Sequence, residues 1–121
     1  MSAGINFSND TGSVFSGYYA AAPQALSGAG AVTVTEYKTN VTSTGANALT
    51  LADGEFVGQR KAIQLIVDGG DATLTPVNLT GGDTITFADA GDRVELVWTG
   101  ASWVAIDLCN LADGATAPVL A

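Results

Sequence analysis

The chain has 121 residues, with twelve acidic side chains against four basic ones, no histidine and one cysteine, for a formal charge of −8. A chain of this length forms one domain with a modest core. So few lysines and arginines argue against direct contact with nucleic acid, which is held by displacing phosphate counterions, and against docking on an anionic membrane. The lack of histidine removes the usual general base and the commonest metal ligand. A lone cysteine, Cys109, can make neither an intrachain disulfide nor a structural zinc site, and is expected to be a small buried thiol.

Residues 1–31 read as an extended N-terminal arm. They carry one charged residue, Asp10, and their aromatics follow neither a helical nor a sustained strand period. The opening "MSAGINFSND" has no basic start and no apolar run, so no signal peptide is expected. No stretch approaches the ~20 apolar residues of a membrane helix, and assembly in the cytosol is the expectation.

Residues 32–109 read as a β-domain. "VTVTEY" and "ALTL" alternate apolar and polar positions, and "KAIQLIV" is apolar on both faces, as in a central strand. "DGGD" turns the chain into "ATLTPV", where Pro76 favours an edge or a strand end. "TITF" points Ile85 and Phe87 inward, with Thr84 and Thr86 outward. About six to eight short strands, with Gly/Asp turns every ~8–12 residues, predict an all-β fold, a small antiparallel β-sandwich or barrel. The two "LADG" tetrapeptides, at 51–54 and 111–114, read as recurring turn chemistry and not as a solenoid repeat. Residues 110–121 read as a tail that packs on a neighbour.

"DRVELVWTGASWVAIDL", residues 92–108, reads as a hairpin. A two-residue Gly100-Ala101 turn sets Trp98 against Trp103 but Val94 against Asp107. A three-residue turn at Thr99-Gly100-Ala101 sets Leu96 against Val104, Val94 against Ile106 and Arg93 against Asp107. The second keeps apolar residues together and pairs opposite charges, so it is preferred. It puts the two tryptophans on opposite faces, one in the core and one available for a subunit contact.

Chemistry is hard to find. There is no "GxSxG" and no "GK[ST]", and the acidic residues fall mainly in turns, where Asp caps backbone N–H groups. The chain reads as a non-enzyme that needs no cofactor. "VDGGDA" and "ADAGDR" each place two carboxylates three residues apart in glycine-containing loops. Calcium is the rival to turn capping there, but the spacing matches neither an EF-hand nor the nine-residue glycine–aspartate repeat of calcium β-rolls. Asn-x-Ser/Thr sequons at Asn6, Asn9, Asn40 and Asn78 are what chance gives in so Asn/Thr/Ser-rich a chain. Gly28-Ala29-Gly30 lacks the strand–turn–helix setting of a nucleotide loop.

Residues 47–106 resemble a module of tailed-bacteriophage virion proteins. The marks are the "LxDG" turn, then Gly58, Gln59, Lys61 and Ile63, the "TP-x-N" of Thr75 to Asn78, the "GG-x-TI" of Gly81 to Ile85, and "G-D-x-V-x-L-x-W-x-G-x-x-W" from Gly91 to Trp103. The resemblance implies a capsid decoration protein or a domain of a tail fibre or spike, often trimeric. The short length and the lack of a shaft favour decoration of the outer capsid surface. The expected partners are the major capsid protein and sister copies in a homotrimer. The expected contacts are Ile5, Phe7, Phe15, Tyr18 and Tyr19 of the arm, with Trp98 and Trp103. The rivals are a receptor- or glycan-binding tail module, with a tryptophan stacked on sugar, and a non-viral filament subunit.

Overall fold

The computed structural model describes residues 21–112, 114 and 117–121. Within them the chain crosses repeatedly between two sheets. Ten strands run in order: β1 Gln24–Ser27, β2 Gly30–Val32, β3 Lys38–Thr42, β4 Asn47–Leu51, β5 Arg60–Val67, β6 Ala72–Pro76, β7 Ile85–Phe87, β8 Asp92–Trp98, β9 Trp103–Asn110 and β10 Val119–Leu120. Sheet A has the order β9-β8-β5-β3-β1, and sheet B the order β10-β7-β6-β4-β2. The sheets pack face to face as an open sandwich. The fold is all-β, and "KAIQLIV" is the central strand of sheet A.

The sheets are mixed, which corrects the antiparallel expectation. Strands β1, β3 and β5 are parallel, as are β2, β4 and β6. Only the later pairs, β5 with β8, β8 with β9, β6 with β7 and β7 with β10, are antiparallel. The cause lies in the five connections between the first six strands: each carries the chain across to the other sheet instead of folding it back as a hairpin, so these strands make three stacked rungs.

The turns at 28–29, 43–46 and 68–71 rest on one another. Gly28 N–H donates to Thr42 O, Ser43 N–H to Val67 O and Asn47 N–H to Asp71 O, at 2.9–3.0 Å. The Ser43 hydroxyl donates to Gly70 O and accepts from Gly69 N–H. A Cβ on Gly69 would lie 2.2 Å from the Ser43 carbonyl oxygen, and Gly70 has φ +149° with the Gly45 backbone 2.6 Å from the Cβ it would carry. Glycine is there for closeness of backbone to backbone.

Among the described residues the first strand begins at Gln24, upstream of Val32, so the last part of the expected arm belongs to the sheets. The end of the expected tail does too, because Val119 and Leu120 pair with Thr86 and Ile85 of β7. Pro76 ends its strand, where its missing N–H is tolerated. Ile85 and Phe87 are buried and Thr86 is not, as the alternation predicts.

The hairpin adopts the register that the sequence disfavours. Trp103 pairs with Trp98, Val104 with Val97 and Ala105 with Leu96. A β-bulge at Ile106 then shifts the ladder, so that Asp107 faces Glu95, Leu108 faces Val94 and Cys109 faces Arg93. One extra residue thus turns an unfavourable Val94–Asp107 pairing into an apolar one.

The core is apolar with a few buried polar groups. Gln59 accepts from Glu55 N–H and donates to Val34 O, and Asp92 accepts from Ala88 N–H, Asp89 N–H and the Asn110 amide. Lys61 is fully buried and its Nζ donates to Glu36 O at 2.8 Å. Burial disfavours its charged form and lowers its pKa to about 8, against a smaller opposing pull from Glu36.

The unfolded chain keeps the Lys61 proton to higher pH than the folded one, so stability rises with pH from the folded value toward the unfolded one. Urea unfolding should show a gain of about 2 kcal/mol between about pH 7 and about pH 10. Lys61→Met should remove that rise; an unchanged slope in the variant would show that another group is responsible.

Candidate functional site

The sequence points to seven contact residues. Ile5, Phe7, Phe15, Tyr18 and Tyr19 lie outside the described residues. Trp98 and Trp103 do not contact the outside: they are 6% and 0% exposed. Because they are register partners, both point inward, and their rings meet edge-on with centroids 5.3 Å apart at 61°. Neither indole is presented to a sister subunit or to a sugar. Cys109 is half-buried on the outer face, not enclosed as expected.

Part of the set that carried the phage resemblance, from the "LADG" turn, Gly58-Gln59, Asn78 and the two tryptophans, converges instead on a structural clasp at the hairpin end of the sandwich. Trp103 Nε1 donates to Ala52 O at 2.9 Å, inside the "LADG" turn. Asn78 Nδ2 donates to both carboxylate oxygens of Asp53, at 2.9 and 3.2 Å. Gly54 lies under Trp98, where an added Cβ would meet the indole Cγ at 2.3 Å. Gly58 N–H donates to Trp98 O and Trp98 N–H to Gln59 O. The three motif segments therefore specify how loops 52–59, 77–80 and 99–102 lock around two tryptophans.

Chemically active groups are not brought together. Among the described residues, no three of His, Cys, Asp and Glu come close enough to hold a metal ion. In the two loops considered for calcium, Asp68 accepts from Gly70 N–H and Asp92 caps the turn before it, as turn chemistry predicts. A shallow open depression of about 240 Å³ lies between residues 64–66, 90–91 and 111–112, and its lining holds no acid, base or nucleophile.

What distinguishes the surface is the contrast between its two broad faces. Across sheet B the outward row is Ala48, Thr73, Thr86 and Val119, and beside it run Ala31, Thr50 and Thr75. Their inward neighbours Leu49, Leu74 and Ile85 are fully buried, which fixes the direction. Among the described residues, no charged side chain occupies this face. Sheet A is the opposite: Lys38, Arg60 and Arg93 share its outer face with Glu95 and Asp107. The threonines are visible in the sequence as alternating outward positions. That they share one face across three strands is not, because it depends on the strand order, parallel from β4 to β6 and antiparallel from β6 to β7.

No family model, no curated protein and no solved structure matches the chain.

The clasp makes a direct prediction. Gly54→Ala should lower unfolding stability by about 3 kcal/mol through overpacking and alter the near-UV dichroism of the tryptophans. Asn78→Ala should cost about 1 kcal/mol, with that signal kept. A Gly54→Ala variant as stable as the parent would contradict the packing described.

Proposed function

We propose that the chain is a non-catalytic structural protein of a tailed-bacteriophage virion: a capsid decoration protein that binds the outer surface of the major capsid protein, as a homotrimer, and stabilises the head. The observation that carries this reading is the uncharged outer face of sheet B on a chain of charge −8. An acidic surface repels other acidic surfaces and keeps its carboxylates hydrated. A face of threonine, alanine and valine can be covered by protein without stranding a charge. Threonine suits such a contact, since its methyl packs while its hydroxyl pairs across the interface.

The resemblance of residues 47–106 supplies the virion setting. The loss of both tryptophans to the core removes the feature that favoured a glycan-binding tail module. Each docked copy gains only modestly after ordering and desolvation costs, and a trimer turns modest contacts into a tight attachment through avidity. Such subunits bridge their capsid neighbours and so resist the outward pressure of packaged DNA.

Co-sedimentation with heads of the phage that encodes the chain tests this. The parent protein should pellet with heads, and the Thr50→Lys/Thr75→Lys variant should stay in the supernatant, its thermal midpoint within a few degrees of the parent because both positions are exposed. Equal binding by the two proteins would reject the face, and no binding by the parent would reject the decoration reading.

A further inference from the structure

Residues 33–37 carry the chain from β2 in sheet B to β3 in sheet A and belong to neither strand. Side chains hold most of this segment in place. Gln24 Oε1 accepts from Thr33 N–H at 3.0 Å, Gln59 Nε2 donates to Val34 O at 2.8 Å, and Lys61 Nζ donates to Glu36 O at 2.8 Å. Within the segment, the Thr33 and Thr35 hydroxyls donate to the Glu36 carboxylate. Its far end is fixed to sheet A, where Ala62 N–H donates to Tyr37 O at 2.8 Å and Arg93 donates to the Tyr37 hydroxyl.

Two of these ties start inside the core, because Gln59 and Lys61 are both buried. Gln59 also accepts from Glu55 N–H, so the segment leans on loop 52–59 of the clasp. Lys61 is the costly tie. An ammonium has three N–H donors, and among the described residues Glu36 O is the one acceptor it bonds. The charge of the Glu36 carboxylate offsets only part of the burial that disfavours the protonated amine. Lifting residues 33–37 would break a few side-chain bonds and let water reach that ammonium. Opening either sheet would break whole ladders, so the cheapest opening at this end of the molecule is the segment itself.

We propose that residues 33–37 are a strap that lifts off the end of the core as a unit while both sheets stay folded, with Gln59 and Lys61 as its latch and the ends of β2 and β3 as its hinges. The open form presents the Lys61 amine to solvent beside the tryptophan clasp. The device is a property of the single chain and stands apart from the virion reading.

Amine labelling of the purified chain tests it, with N-hydroxysuccinimidyl acetate at about pH 8 over a urea series, read lysine by lysine by peptide mass spectrometry. Lys61 should be labelled more slowly than Lys38, at a rate nearly independent of urea, because lifting so short a segment exposes little surface. Only near the unfolding transition should the rate climb with the slope of global unfolding. Hydrogen exchange should show the same plateau for the amides of 33–37, and the global slope alone for those of β5. Thr33→Val, which removes the hydroxyl bond to Glu36, should raise the Lys61 plateau about fivefold. The urea transition of the variant, recorded alongside, shows that it is folded. Lys61 labelling that follows global unfolding at every urea concentration overturns the proposal. So does labelling as fast as that of Lys38, or a plateau indifferent to Thr33→Val.

Discussion

The pairing of Trp98 with Trp103 on the inner side of one hairpin is the constraint around which the rest is arranged. Truncating a buried indole to alanine costs about 3–5 kcal/mol, more than any single surface interaction can offset. Burying both on the same side forces a register that would place Val94 opposite Asp107. The bulge at Ile106 absorbs the mismatch, and from there the ladder again matches apolar with apolar. The same two rings demand a glycine at position 54 and a carbonyl for the Trp103 N–H at Ala52. The "LADG" turn, the "TP-x-N" segment and the hairpin loop are thus parts of one solution to a packing problem.

That constraint separates what is legible in the sequence from what is not. Alternation in "VTVTEY", "ALTL" and "TITF" reports local geometry, so the all-β class and the inward set at Ile85 and Phe87 can be read directly. Strand direction is not local. A glycine/aspartate turn such as "DGGD" serves a hairpin or a crossing between sheets equally well, and only the stacking of Gly69 and Gly70 on residues 43–45 shows which it is. The hairpin register misleads for a related reason: scoring cross-strand pairs assumes an unbroken ladder, and one bulged residue reverses the preference. Gln24 shows why the arm reads too long. Its side chain donates to Ala31 O and accepts from Thr33 N–H and Thr39 Oγ1, ties that hold β1 in the domain and leave no mark in the hydrophobic pattern.

The candidate surface is half legible for the same reason. Outward threonines can be named strand by strand, but a face exists only once the strands have an order. With that order, the described residues divide their chemistry by region: a clasp of aromatics and glycines at one end, the exposed Asp68, Asp71 and Asp89 at the other, paired cations and acids on one broad face and no charge on the second. Single strands contribute to more than one of these regions. In β4, Leu49 and Leu51 fill the core while Thr50 faces outward. In β8, Val94, Leu96 and Trp98 do the packing while Arg93 and Glu95 form the charged face.

An uncharged face on an acidic body is the central claim's physical basis, and a density map of the assembled virion, at a resolution that shows side chains, tests it most directly. The account predicts copies on the outside of the head, with Thr50, Thr73 and Thr75 pressed against the shell. Copies lying inside the shell against the genome, or oriented with those threonines toward open solvent, would contradict it.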